Sequence, residues 1–425
     1  MDSLKEATQD FFGVLGDQQR NLLENHLKQR MVQRQGECVL QVVLDVTHAC
    51  LLSCRGCGVA AKGATLKRKT QRNPELSTDR LVWILGEIRD AAHAWGYSRV
   101  SLHLGGGEPF LRKDMPELIR TSADLFGSES ISVDTNGCTV STDELAEIMQ
   151  HVQVVGISLD GLEEYHNWWR QPPKGMNAFR KATGLLSDAA QLPFGPEKLE
   201  VSLVPTKKNI AEIPGLMELV YRLGVRKFSV HRAMPVGRFL DQLDLLPDAK
   251  DYLIILTAML NVNERLGMAI HIHHSIESIY SSLLLGLDSF APTVIRNPER
   301  FSSLGIDPIG RVYFDPWCMA RPLSRFDIGS LEDGKTRLTQ LLEQTEKWHR
   351  RFIPESRCFG CQIRCSGGSR IGAALALLEH QLGRSAMARG NFTIELLLDA
   401  MSAVDPVCPL YKAQSKTVPT NHTQH

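Results

Sequence analysis

The stretch Val39-Leu40-Gln41-Val42-Val43-Leu44-Asp45-Val46 runs directly into Thr47-His48-Ala49-Cys50-Leu51-Leu52-Ser53-Cys54-Arg55-Gly56-Cys57. The first part is β-branched and apolar, the composition of a buried strand. The second places Cys50, Cys54 and Cys57 on one tight loop at that strand's end. Neighbours two or three residues apart rarely pair as disulfides, and the start, Met1-Asp2-Ser3-Leu4-Lys5-Glu6, lacks the basic-then-apolar order of a secretory signal. In a reducing compartment, clustered thiols hold metal or do redox chemistry more often than they form disulfides. A structural zinc wants four ligands, usually in two separated pairs. Three thiolates on one loop instead suit a [4Fe–4S] cluster with one iron left open. His48 as a fourth ligand would make a zinc knuckle, and spacing alone leaves that alternative standing.

Outward from this loop the chain alternates. Strand-like runs follow at 99–104, 130–134, 152–159, 199–204 and 226–230, with helical patterns at 78–95, 115–126, 143–150, 176–189 and 210–223. Ser77 ahead of Arg80, and Ser141-Thr142-Asp143-Glu144, read as helix caps. Strands separated by helices pair in parallel, giving an α/β fold that is either a doubly wound sheet or a partial barrel. In both, ligands gather at the C-terminal strand ends. Those ends carry the three cysteines, then Gly105-Gly106-Gly107-Glu108-Pro109, Thr135-Asn136-Gly137, Ser158-Leu159-Asp160-Gly161 and the stretch 231–238.

The 425 residues hold 48 Lys+Arg against 48 Asp+Glu. Such a balance removes the electrostatic footprint of a sequence-independent nucleic-acid binder. No apolar run reaches the roughly 18 residues of a membrane span. The expectation is therefore a cytoplasmic protein with neither a nucleic-acid nor a membrane partner. Residues 1–36 read as amphipathic helices, 37–240 as the α/β core, 241–304 as a mostly helical connector, 305–412 as a second cysteine-bearing domain, and 413–425 as a disordered tail.

The loop 47–57, together with the glycine-rich Gly105–Pro109, Thr135-Asn136-Gly137 and Ser158-x-Asp160-Gly161 in that order, resembles the radical S-adenosylmethionine (radical SAM) enzymes over about residues 38–238. The resemblance implies a partial (β/α)6 barrel whose Cys50, Cys54 and Cys57 hold a [4Fe–4S] cluster. It also implies S-adenosylmethionine contacted by Gly105, Gly106, Gly107, Glu108, Asn136, Ser158 and Asp160. Gly56 stands where the family often has an aromatic, so adenine packing is expected from around Met234 or Val236.

Cys358-x2-Cys361-x3-Cys365, with Cys408 beyond and Cys318 upstream, resembles the SPASM/twitch extension of that family. It implies a C-terminal cysteine-rich α+β domain with one auxiliary [4Fe–4S] cluster on Cys358, Cys361, Cys365 and Cys408. Cys318 is then a spare thiol or a substitute ligand. Ser369 replaces a cysteine common in the family, and a structural zinc remains the alternative. Met319 occupies the place of an acidic proton acceptor found in several relatives, so no general base is assigned. Arg170 is read in a loop 163–175 as a holder of a carboxylate or of the cofactor, with a solvated arginine equally open; His103 is read as pointing inward.

The function implied is reductive cleavage of S-adenosylmethionine to a 5′-deoxyadenosyl radical that abstracts hydrogen from a peptide or protein side chain. Flavodoxin- or ferredoxin-type proteins would donate the electron. Only some 36 residues precede the first strand, so a peptide substrate would call for a separate leader-binding protein or recognition without a leader. The alternatives are a dehydrogenase, epimerase or rearranging enzyme acting on a small molecule such as an amino sugar, and a non-catalytic zinc scaffold.

Overall fold

The computed structural model describes residues 8–32, 39–59, 61–63, 75–272, 274–285, 303–345, 370–400 and 408. Its main sheet has ten strands: β1 (Val39–Thr47), β2 (Arg99–Gly106), β3 (Ile131–Thr135), β4 (Val154–Ser158), β5 (Leu199–Leu203), β6 (Lys227–Val230), β7 (Ala269–Ile272), β8 (Ser303–Ile306), β9 (Arg311–Tyr313) and β10 (Gly329–Ser330). Their spatial order is β10-β9-β8-β1-β2-β3-β4-β5-β6-β7. The run from β8 to β7 is parallel throughout, and β9 and β10 close one edge antiparallel. The six expected strands are thus present in sequence order. Two further parallel strands flank them, β7 in the region read as helical and β8 across the 304/305 division.

Helices return the chain between strands: α1 (Asp17–Val32) ahead of the sheet, then α2 (Thr78–Ala94), α3 (Met115–Phe126), α4 (Thr142–Ile148), α5 (Glu163–Arg170), α6 (Ala178–Ala189), α7 (Ile213–Arg222), α8 (Ala249–Leu266) and α9 (His274–Leu285). The Ser77 side chain caps α2 by accepting from Arg80 N, and Ser141 with Glu144 forms a reciprocal capping box on α4. The segment 163–170, read as loop from sequence, is the helix α5. It buries Tyr165, His166 and Trp169 and stops at Gln171, which takes a left-handed conformation before Pro172-Pro173. A residue before proline is pushed out of the helical region, which ends the helix there.

The sheet is two-faced. Leu102, Leu104, Ile131, Val133, Val155, Ile157, Val201, Leu203, Phe228 and Val230 belong to the main apolar core. The alternate positions Ser101, His103, Ser132, Asp134, Glu200, Ser202 and Ser229 are polar. Because successive side chains on a strand point to opposite faces, one face of the sheet is a polar surface beneath the strand ends.

Candidate active site

The cysteine loop is held from three directions. Its start rests on the end of β2: Gly107 N donates to Thr47 O at 2.7 Å and Glu108 N to Ala49 O at 2.8 Å. A Cβ at Gly106, whose φ is +120°, would lie 2.4 Å from Thr47 O, and one at Gly107 2.1 Å from Ala49 O. These two glycines make room for the loop's own backbone. The outer side pairs with the end of α5, Arg55 N donating to Trp169 O at 2.8 Å and Ser53 N to Gln171 O at 3.3 Å. From β6's far side, Arg238 donates through Nε to Cys54 O at 2.6 Å and through Nη1 to Ala61 O at 2.7 Å. Its buried Nη2 has no partner among the described residues.

Glu108 ties neighbouring strand ends together. Fully buried, its carboxylate accepts from Thr135 Oγ1 at 2.7 Å, Asn136 N at 2.8 Å and Phe110 N at 3.4 Å. Burial pushes this carboxyl above its ordinary range, and those donors pull it back. Asn136 reaches the cysteine loop, with Nδ2 3.6 Å from Cys50 Sγ, and its Oδ1 accepts from Cys138 N at 2.8 Å. Asp160 is fully buried; it accepts from Val204 N at 3.1 Å and pairs with Arg170 Nε at 2.5 Å. Arg170 Nη1 lies 4.0 Å from Cys54 Sγ. So Arg170 does hold a carboxylate, that of Asp160, and its other arm faces a thiol. Ser158 is half-buried at the end of β4, opposite Ser202 of β5. Gly105 sits against Asp45 and His103; burial, then the nearby Asp307, push the Asp45 carboxyl up to about 7.

The fit of an iron–sulfur cluster is tested by what faces the three sulfurs. Each meets a donor: Cys50 Sγ accepts from Leu52 N at 3.4 Å, Cys57 Sγ from Ala61 N at 3.3 Å, and Cys54 Sγ faces the Arg170 guanidinium. N–H groups aimed at cysteine sulfur stabilise the ligating thiolate and set a cluster's potential. Burial pushes the Cys54 thiol up to about 12, with Arg170 opposing it, so an anionic sulfur here depends on compensating charge. Among the described residues no three or more His, Cys, Asp or Glu side chains close around a single ion. The donor set fits a cluster held by three thiolates.

Sequence reasoning missed the partner of Gly56. A Cβ there would lie 2.2 Å from the Trp169 ring and 2.9 Å from Phe239. Trp169 stacks on Tyr165 with ring centroids 6.1 Å apart and meets Phe239 edge-on at 5.6 Å. The absent aromatic at 56 is thus balanced by one from α5, a contact legible in sequence only if 163–170 is read as a helix. Val236 is buried and comes within 3.9 Å of a Cβ built at Gly58.

The second cysteine set is only partly in view. Cys358, Cys361 and Cys365, like Cys38 and the tail 413–425, lie outside the described residues. Cys318 is fully buried after β9, and burial pushes its thiol well up. Cys408 is half-buried and lies near Tyr280 of α9.

Two expected results arise here. Gly107→Ala drives a methyl into a backbone oxygen, so the loop must move; a loss of about 1–3 kcal/mol and of iron per chain after anaerobic reconstitution is expected, read by urea denaturation and iron assay. His166 on α5 is fully buried, its Nδ1 accepting from Asp160 N at 3.2 Å. Burial lowers its pKa to about 4, Asp160 opposing and Arg170 adding to the effect. The unfolded chain takes up a proton near its ordinary pKa of about 6.5 while the folded chain does not. Stability is therefore full above that value and falls as pH drops toward 4, by up to about 3 kcal/mol. His166→Gln should flatten that part of a denaturation-versus-pH curve; an unchanged slope would refute this assignment.

A parallel α/β sheet with a three-thiol loop, a buried glutamate and asparagine at successive strand ends defines a class of site, one that presents iron–sulfur ligands at a barrel mouth. Residues 44–191 match the family profile of the radical SAM superfamily. Over those residues the chain resembles that superfamily. It is 29% identical over 209 residues to a probable GTP 3′,8-cyclase of Sulfurisphaera tokodaii, covering 49% of this chain and 60% of that protein. It is 28% identical over 212 residues to a PqqA peptide cyclase of Methylorubrum extorquens, covering 49% and 50%. A third relative, the mycofactocin maturase MftC of Mycobacterium tuberculosis, is 28% identical over 280 residues, covering 65% and 64%. The chain therefore spans between half and two thirds of the length of these relatives. Among solved structures, anSMEcpe with bound AdoMet and the Cp18Cys peptide superposes with a TM-score of 0.59 at 16% identity, over 89% of this chain and 95% of that one. Streptococcus suis SuiB bound to S-adenosylmethionine gives 0.56 at 14% identity, over 81% and 74%. At these identities the two structures speak for the fold alone. No helix among the described residues is long and apolar enough to cross a membrane.

Proposed function

We propose that this chain is a radical SAM enzyme that modifies peptide or protein side chains. The observation that carries the reading is the loop of Cys50, Cys54 and Cys57, each sulfur facing a donor, at the C-terminal ends of a parallel sheet. When bound there, a [4Fe–4S] cluster and S-adenosylmethionine supply a one-electron reductant and a carbon radical able to take hydrogen from substrate. The chain's own residues do the rest. Cys50, Cys54 and Cys57 hold the cluster; Asn136 and Arg170 stabilise the charge on Cys50 and Cys54. Glu108 fixes the ends of β2 and β3, leaving a lone pair for an ammonium group, and Gly105–Gly107 keep the loop close to β2. Asp160 positions the Arg170 guanidinium beside Cys54, and Ser158 sits opposite Ser202 at the end of β4. The ring of Trp169 packs against Gly56 and holds the loop to α5.

The peptide assignment draws on two relatives, the PqqA peptide cyclase and the mycofactocin maturase. The similarity to a probable GTP 3′,8-cyclase supports a second reading, in which the substrate is a small molecule. In either, we read residues 37–240 as the catalytic barrel and 305–412 as an auxiliary domain, with Cys358, Cys361, Cys365 and Cys408 on one further cluster and Cys318 nearby. A flavodoxin- or ferredoxin-type donor and a separate leader-binding protein complete the proposed partners. Anaerobic reconstitution, reduction with dithionite and assay of 5′-deoxyadenosine test the chemistry. Its absence would sink both readings. Product mass with peptides and small molecules encoded or made by neighbouring genes separates them.

A further inference from the structure

The polar face of the sheet is not used by the cysteine loop or its supports. On it His103 of β2 and Asp134 of β3 face each other, Nε2 3.8 Å from Oδ2, and His103 Nδ1 is 3.0 Å from Ser132 Oγ. Their side chains remain 31% and 39% exposed, so this part of the face is open. Asp134 pairs in the ladder with Gly156 of β4. A Cβ at Gly156 would lie 2.0 Å from Asp134 Oδ1 and 2.9 Å from Ser202 Oγ of β5. The carboxylate therefore lies across the bare glycine toward Ser202. Ser202 is only 6% exposed, and its Oγ has no hydrogen-bond partner among the described residues. A buried hydroxyl left unpaired is costly and calls for a partner from elsewhere. Ser202 is also the ladder partner of Ser158, which places this patch at the C-terminal ends of β4 and β5.

We propose that Asp134, Gly156, Ser202 and His103 form the subsite for the substrate's target side chain, taking a polar group with N–H or O–H donors, an ammonium or a hydroxyl. The inference rests on the radical SAM reading, which requires a substrate group held below the strand ends. Asp134 and Ser202 Oγ offer two acceptors converging over Gly156, whose missing Cβ lets the carboxylate lie there. An aliphatic side chain would leave both acceptors unpaired in a half-buried site. A carboxylate would meet Asp134 and be repelled.

The test is direct binding to the full chain, cofactor-loaded and anaerobic, by NMR titration with acetylated, amidated Gly-Gly-Xaa-Gly-Gly peptides in which Xaa is Lys, Ser, Leu or Asp. The Lys and Ser peptides are expected to bind about tenfold or more tightly than the other two. Asp134→Asn should lower affinity for the Lys peptide about tenfold and for the Ser peptide by less, separating the ammonium from the hydroxyl source. Gly156→Ala should bring Lys and Ser down to the Leu level; if that variant is misfolded, Asp134→Asn and Ser202→Ala carry the test. Equal affinities for all four peptides, or an unchanged preference in Asp134→Asn, would overturn the subsite. Selective binding without any 5′-deoxyadenosine formation would uphold the subsite and remove the radical reading. Radical formation without selectivity would do the reverse.

Discussion

Replacing Cys50, Cys54 and Cys57 together by alanine is expected to bring reconstituted iron at this loop to background and to abolish 5′-deoxyadenosine formation. The effect is large because the three thiolates are the ligand set itself, and removing a ligand removes the bond that metal binding depends on. The fold should survive. The loop's anchors are backbone pairs to Trp169 O, Gln171 O and Thr47 O and the Arg238 contact to Cys54 O, none of which needs a thiol. Urea denaturation of the iron-free forms should thus match between variant and wild type to within about 1 kcal/mol. Iron remaining at the wild-type level after removal of all three thiols, in a chain that also lacks Cys358, Cys361 and Cys365, would refute the assignment.

The second large effect is expected at Arg170. Its guanidinium, 15% exposed, pairs with Asp160, whose side chain is fully buried. Arg170→Ala leaves that carboxylate buried without its counter-charge, a change that costs about 3–5 kcal/mol. Asp160→Asn combined with Arg170→Met removes both charges and should recover much of the loss, since a matched apolar or neutral pair avoids the uncompensated charge. Chemical denaturation of the single and double variants checks this. A single variant as stable as wild type would show that the pair is not the strut of the β4 end that its geometry indicates.

Much of this architecture was legible in the residues. The β-rich runs between amphipathic helices gave the strands of the barrel core, because parallel strands buried under helices need apolar side chains on that face. The cap at Ser77 and the box at Ser141 and Glu144 were readable because capping chemistry is local. The cysteine loop was readable for the same reason. Three features were not. The strand β7 is four residues long and sits in an otherwise helical stretch, so its pairing with β6 is a tertiary fact. The helix α5 is short and aromatic, and its stability comes from stacking Tyr165 on Trp169 and packing Trp169 on Phe239 rather than from propensity. For Arg170 a carboxylate partner was one of the readings, but that the partner is Asp160, ten residues earlier, is a tertiary fact that sequence leaves unplaced. A missed signal was present in the strands themselves. Ser132-Val133-Asp134 and Glu200-Val201-Ser202 alternate polar and apolar, whereas a parallel strand buried on both faces reads as continuously apolar. That alternation announces the polar face below the mouth.

The pairing of β8 with β1 has a mechanical consequence. Gln41 through Leu44 are in register with Ser303 through Ile306, and β9 and β10 continue from there, so the segment bearing Cys318 is laminated onto the same sheet that carries the cysteine loop. Gly237 N donates to Arg321 O at 2.8 Å, and Arg321 reaches Asp241, riveting the far side. Two parts joined edge to edge by a strand ladder cannot hinge without tearing that ladder. Residues 303–330 are therefore fixed rigidly to the sheet whose first strand carries the cysteine loop, and the two move as one piece.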